Sequence, residues 1–152
     1  MIMRNRKCCF PIVLLGILLC LGLALIAFLW LNLPAQAEAV FGPPAPSLDP
    51  LRGVIYPLLL LLQEDDLTRP VDPAGQERAF RVEMGESAPS VIGRLWQEGL
   101  IHNPGAFRTY LSYAGLDTTL QAGDYRLSPA MTPMEIAHAL QDATPGEVIF
   151  TV

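Results

Sequence analysis

The sequence predicts an α+β fold mounted behind an N-terminal transmembrane helix. Three observations predict it. An uncharged apolar run from Phe10 to Leu33 follows Arg4, Arg6 and Lys7. Phe80, Val82 and Met84 alternate with Arg81 and Glu83, the period of a half-buried strand. Two apolar helical faces, each closed by a glycine, separate that strand from a second one at Gly123-Asp124-Tyr125-Arg126-Leu127. Strand, helix, helix and strand within about fifty residues make a small mixed β-α-α-β unit.

Residues 1–33 read as a cytoplasmic tip and a membrane helix. The 24 residues from Phe10 to Leu33 give roughly 36 Å of helix, against a hydrocarbon core of about 30 Å. A cleaved signal peptide competes with this reading, because Ala35-Gln36-Ala37 has the A-x-A form. A signal h-region spans only about 7–15 residues, which favours a retained anchor. The basic residues before the helix place the N-terminus in the cytoplasm and the bulk of a single-pass chain outside the plasma membrane.

Residues 34–53 carry Pro34, Pro43, Pro44, Pro46 and Pro50 and predict a semi-rigid, extended spacer. Residues 54–66 hold Val54-Ile55-Tyr56-Pro57, the tract Leu58 to Leu62, and then Gln63-Glu64-Asp65-Asp66. This predicts a short apolar juxtamembrane helix starting at Pro57, too short to cross a bilayer. It lies on the membrane surface or packs on protein; the lack of a charged face favours packing. Residues 67–76, with two prolines and a glycine, are a linker to an α+β domain over 77–152.

Within that domain, Gly85-Glu86-Ser87 breaks the first strand and Pro89 opens a helix with Val91, Ile92, Leu95 and Trp96 on one face. Gly99 stops it. Asn103 caps the next helix, which has Pro104 in its first turn, carries Phe107, Tyr110, Leu111 and Ala114 on its apolar face, and ends at Gly115. Thr132-Pro133-Met134-Glu135 fits a capping box, with Ile136, Ala137 and Leu140 facing one way behind it. Glu147 to Val152 reads as a final strand that needs a partner.

The linked strings FRVEMGES, GLI and LQAGDYRLSPAMTPMEIAHAL resemble the endolytic murein transglycosylase family (MltG, YceG-like), over roughly Leu51 to Val152. The resemblance implies a single-pass membrane protein with a LysM-like unit ahead of a catalytic domain. It covers only the anchor and LysM-like part: the family's catalytic glutamate lies further downstream, so truncation before the catalytic domain and no cleavage by this chain alone are expected. It implies peptidoglycan glycan strands as the partner, held between the loop after the first strand and the loop before the second. The implied contacts are Gly85, Glu86, Ser87, Ala88, Leu116, Gln121 and Gly123.

Other chemistry finds little support. Removing Arg4, Arg6 and Lys7 from the 10 basic residues leaves 7 against 15 acidic, a net of −8 beyond the membrane run. Such a balance gives no electrostatic case for nucleic acid. Cys8, Cys9 and Cys20 all lie in or beside the apolar run, and His102 and His138 have no cysteine near them, so neither a domain disulfide nor zinc is suggested. No cofactor motif is present. Glu83, Glu86, Glu98 and Glu135 are carboxylates without a catalytic setting: Glu135 reads as a cap, Glu83 and Glu98 as solvated faces. Trp96 and Tyr110 are sugar-stacking side chains by type, but both fall on apolar helix faces and are expected in the core. Three readings stay open: the targeting part of a lytic transglycosylase, a stand-alone peptidoglycan-binding module, and an adaptor that contacts cell-wall synthesis proteins through the leucine tract.

Overall fold

The computed structural model describes residues 10–142; the basic N-terminal tip and the expected strand Glu147 to Val152 lie outside the described residues. Helix α1 spans Phe10–Phe41, α2 Arg52–Leu62 and α3 Glu64–Thr68. Strand β1, Arg78–Val82, is followed by α4, Ala88–Gln97, and α5, Pro104–Ala114; strand β2, Gly123–Leu127, and α6, Pro133–Ala139, complete the order. The segment from Val13 is long and apolar enough to cross a membrane.

The strand and helix signals act as read. β1 and β2 pair antiparallel, with Phe80 opposite Tyr125 and Val82 opposite Gly123. Phe80, Val82, Tyr125 and Leu127 face inward, while Arg81 and Asp124 pair outward at 3.2 Å. A two-stranded sheet is marginal alone and needs a helical cover, which the buried faces of α4 and α5 supply. Both helices end on a left-handed glycine, Gly99 at φ 67° and Gly115 at φ 74°. Behind Gly99 the amide of Leu100 donates to the Leu95 carbonyl at 2.8 Å and that of Gly99 to Trp96 at 3.0 Å, so the last carbonyls of α4 are satisfied. Leu95 and Leu100 are both fully buried across that turn. The capping box of α6 is complete: the Glu135 amide donates to Thr132 Oγ1 at 3.2 Å and the Thr132 amide to Glu135 Oε2 at 2.7 Å.

Four expectations are corrected. Residues 34–41 are helical rather than extended, because α1 continues through Pro34 and its last turn docks on α5. Ala37 and Phe41 are buried there, with Phe41 and Tyr110 ring centroids 6.2 Å apart. α2 begins at Arg52 rather than Pro57, and Pro57 sits buried inside it. An interior proline costs about 3 kcal/mol of helix, and burial of Pro57 and Leu60 against the core offsets it. Met84 leaves the strand: the Glu86 amide donates to the Glu83 carbonyl at 3.1 Å, closing a turn that leaves Met84 93% exposed. Trp96 is 53% exposed, because Leu100 and Leu95 fill the end of the α4 face instead.

One continuous core joins these elements. It takes Ala37 and Phe41 from α1, Leu60 from α2, Leu67 from α3, the inner face of the hairpin, and the apolar faces of α4, α5 and α6. The residues between α1 and α2 are pinned as well: the Ala45 amide donates to the Tyr113 carbonyl at 2.7 Å, and Tyr113 Oη donates to the Gly42 carbonyl at 3.0 Å. α3 is tied to α5 where Asn103, the α5 cap, donates through Nδ2 to Asp66 Oδ2 at 2.9 Å.

Glycine substitutions separate these effects. A Cβ at Gly115 would lie 2.9 Å from Ala45 Cβ, on a backbone that L-residues avoid. Gly115→Ala is expected to lose stability by at least the 1–2 kcal/mol, roughly, of a left-handed L-residue. Gly93, inside α4 with open space around it, is expected to gain about 0.5–1 kcal/mol as Ala. Thermal unfolding of the detergent-solubilised full chain checks both; a neutral Gly115→Ala would contradict the packing of Ala45 on α5.

Candidate functional site

Because Val82 stands opposite Gly123, the loop leaving β1 and the loop entering β2 emerge from the same end of the hairpin. The two loops expected to hold glycan are therefore neighbours. Their side chains, however, are mostly engaged within the fold.

Glu86 is the clearest case. Its Oε1 accepts from Ser90 Oγ at 2.8 Å and its Oε2 from the Glu83 amide at 3.1 Å. Arg94 Nε lies 3.2 Å from Oε1. That contact is an ion pair without hydrogen-bond alignment, since Nε is buried with no hydrogen-bond partner. Arg94 also donates through Nη2 to the Arg81 carbonyl, and its guanidinium stands 4.6 Å over the Phe80 ring. Burial pushes the Glu86 carboxyl up, but the Ser90 and Glu83 hydrogen bonds and the Arg94 charge outweigh it and hold the pKa below the usual carboxylate value. A general acid for glycosidic cleavage needs the opposite shift. Glu86 is thus a clasp between the β1 loop and α4.

Ser87 is the α4 cap, accepting the Ser90 amide at 3.4 Å. Gly85 makes the turn at φ 78°. Leu116 packs partly on the core, and its carbonyl accepts from Gln141 Nε2 at 3.3 Å. Gln121 is held by α6: its amide donates to the Leu140 carbonyl at 3.1 Å and its Nε2 to that of Gln141 at 2.5 Å. Tyr125 Oη donates to the Gln121 carbonyl at 2.6 Å. Gly123 begins β2 opposite Val82.

Beside these loops lies a groove of about 340 Å³, between α2, the first turn of α4 and one side of α5. Of the seven expected contacts only Ala88 lines it, next to Pro89. Its polar wall is made by Arg52, Tyr56, Arg108, Ser112 and Asp117. Ser112 Oγ donates to Asp117 Oδ2 at 3.1 Å, which orients that carboxylate. Arg52 Nε stands 3.7 Å from Asp49 Oδ2, both side chains largely exposed, a weak pair. Arg108 has no ion-pair partner among the described residues. An adjoining hollow of about 230 Å³ shares Arg52, Ser112 and Asp117 and runs on toward Ser47 and Thr118. Such a trough of hydroxyls, one carboxylate, two guanidiniums and one phenol can hydrogen-bond a polyol and stack on one of its faces. Among the described residues no three His, Cys, Asp or Glu side chains gather as metal ligands.

Sequence reasoning missed Arg52 and Tyr56, which reach the groove only because α2 packs on α5. Arg108, on α5, was missed as well; nothing local in the sequence marks it.

The family model described as the YceG-like family matches residues 80–152. That segment, a little under half of the chain, is similar to the YceG-like family. This relates it to murein transglycosylases. The YceG-like segment contributes the α4, α5 and Asp117 walls of the groove, whereas Arg52 and Tyr56 lie outside it. No curated protein and no solved structure matches the chain.

The Glu86 clasp has a pH signature. A carboxyl whose folded pKa lies below its unfolded one binds fewer protons when folded, so its stabilisation is complete above the unfolded value of about 4.3 and is lost as pH falls through the folded value. Denaturant unfolding from about pH 6 to about pH 3 should show the wild type losing more stability than Glu86→Gln across the acid limb. Parallel acid limbs would contradict the clasp.

Proposed function

We propose that the chain is the membrane-anchored, peptidoglycan-associated portion of a murein transglycosylase-related protein, with a LysM-like β-α-α-β unit presenting a glycan groove. The polar groove on the YceG-like segment carries this reading. A glycan strand lies along α4 and α5, its hydroxyls bonded by Arg108, Ser112 and Asp117 and one ring against Tyr56. The backbones of the loops Gly85–Ser90 and Leu116–Gly123 flank it. Binding and positioning of glycan are its role; among the carboxylates at the hairpin end, Glu86 is held ionised by its clasp, unsuited to proton donation.

The anchor is retained, with its N-terminus cytoplasmic. Ala37, the last residue of the A-x-A tripeptide, is buried inside a continuous helix, whereas a protease needs an accessible, extended segment. The cluster Arg4, Arg6 and Lys7 before the helix supports the orientation.

Two measurements test this reading. The purified full chain is expected to pellet with peptidoglycan sacculi. Arg108→Ala should weaken retention about tenfold, the effect of losing one charge-assisted hydrogen bond of about 1.5 kcal/mol, while Glu86→Gln leaves it unchanged. No retention by wild type would overturn the glycan groove. Separately, a reporter active only outside the cytoplasm, fused after Val152, is expected to be active; activity of a cytoplasm-only reporter at that position would reverse the topology.

A further inference from the structure

Helix α2 has two apolar sides: one is buried in the core, and the other is covered only in part, by α1. Pro57 and Leu60 are buried in the core. Leu51, just before the helix, and Ile55, Leu58 and Leu62 follow each other at spacings of four, three and four residues, which is one face of a helix. They are 68, 42, 43 and 73% exposed. A contiguous exposed apolar stripe of this kind marks a contact surface.

The position of the stripe identifies what covers it. Between α1 and α2 runs a cleft of about 220 Å³, lined by Ile26, Trp30 and Leu33 on one side and Val54, Ile55 and Leu58 on the other. The stripe is therefore continuous with the apolar surface of α1. About 20 residues of helix cross a hydrocarbon core, so a span that starts at Phe10 leaves it near Leu29. Trp30, 60% exposed, stands at that level, where tryptophan favours the headgroup boundary. The next acidic residue along α1 is Glu38. α2 thus meets α1 where hydrocarbon gives way to headgroups. Asp49 and Arg52 at one end of the helix, and Glu64, Asp65 and Asp66 beyond the other, bracket the stripe without interrupting it.

We propose that α2 is a second membrane contact: it lies in the interface on the far side of the bilayer from the N-terminus, with Leu51, Ile55, Leu58 and Leu62 seated at the acyl boundary. At 11 residues, roughly 16 Å, it is too short to span, so it lies along the surface. The attraction is apolar, since the chain outside the span is acidic and gains nothing from anionic lipid. Arg52 and Tyr56 of the same helix line the groove, so this contact sets the groove close above the membrane. The inference rests on the reading of α1 as a retained anchor.

Spin-label accessibility in the full chain tests it. In a background of Cys8→Ser, Cys9→Ser and Cys20→Ser, nitroxides are placed by Leu58→Cys or Leu62→Cys, with Leu19→Cys and Gln97→Cys as references, and the protein is reconstituted in phosphatidylcholine vesicles. The ratio of oxygen to nickel-chelate collisions at Leu58 and Leu62 is expected to exceed that at Gln97 and approach that at Leu19. Ratios matching Gln97, with Leu19 still lipid-like, would overturn this inference and leave the anchor standing. A water-like Leu19 would remove both. Labels shielded from both reagents, with spin–spin broadening, would assign the face to a second copy of the chain and overturn the lipid contact. The same shielding without broadening would assign it to the protein's own packing, with the same result.

Discussion

The joint between the end of α1 and the middle of α5 is the constraint on which the rest of the structure depends. The long apolar helix α1 does not meet the rest of the fold through a linker; its end enters the core. Phe41 packs on Tyr110, Tyr113 Oη holds the Gly42 carbonyl, and the Ala45 amide bonds back to the Tyr113 carbonyl. Those bonds satisfy backbone groups that a buried helix end would otherwise leave orphaned. Burial, and then the charge of Glu38, raise the Tyr113 pKa, so the phenol stays a neutral donor at the joint. Remove the joint and α1 becomes a tether; with it, the domain has one fixed attitude to the helix axis.

α5 transmits that attitude outward. Its buried residues Phe107, Tyr110, Leu111 and Tyr113 share the core with α1, α2, α4 and α6. The hairpin, too small to stand alone, is closed on its outer edge by the Arg94 side chain, which stands over Phe80 while reaching Arg81 and Glu86. At the other side Tyr125 spans two carbonyls, those of Gln121 and Leu140, and so fastens β2 to the end of α6. Buried polar groups of this kind are valuable only when satisfied. At the hairpin end the loop residues hold one another through such bonds.

The parts of this fold that the sequence announces are those decided locally. Asn103 and Thr132 cap because their side-chain oxygens reach amides two or three residues on, and Gly99 and Gly115 stop helices because the backbone turns left-handed there. The β-α-α-β unit follows from such signals and from the two periodicities. Where packing competes with a local rule, the local rule misleads. Pro34 and Pro57 read as helix boundaries, yet both lie inside helices, because burial of Ala37, Phe41 and Leu60 outweighs the lost backbone bonds. Trp96 shows the reverse: its spacing puts it on the apolar face, but Leu100 folds back across the glycine turn and occupies that place. The groove was not legible: of the seven residues expected at the hairpin-end loops only Ala88 lines it, and Arg52 and Tyr56 come from a helix some thirty residues upstream, at a spacing that encodes nothing until α2 meets α5.

That helix is where the two ends of the chemistry meet. On one side of α2, Pro57 and Leu60 belong to the core; on a second, Arg52 and Tyr56 belong to the groove; on a third, Ile55 and Leu58 belong to the cleft with α1. An α-helix is only about 10 Å across, so Arg52 and Tyr56 lie within about one helix diameter of the side of α2 that meets α1. A soluble glycan-binding unit has no reason to keep a leucine tract exposed, since the tract carries an aggregation cost with no return in binding. Beside a spanning helix the same tract would be covered by lipid, as proposed above. On the proposed lipid contact, α2 would hold the groove near the bilayer surface, with Arg52 and Tyr56 on one side of the helix and Ile55 and Leu58 on another.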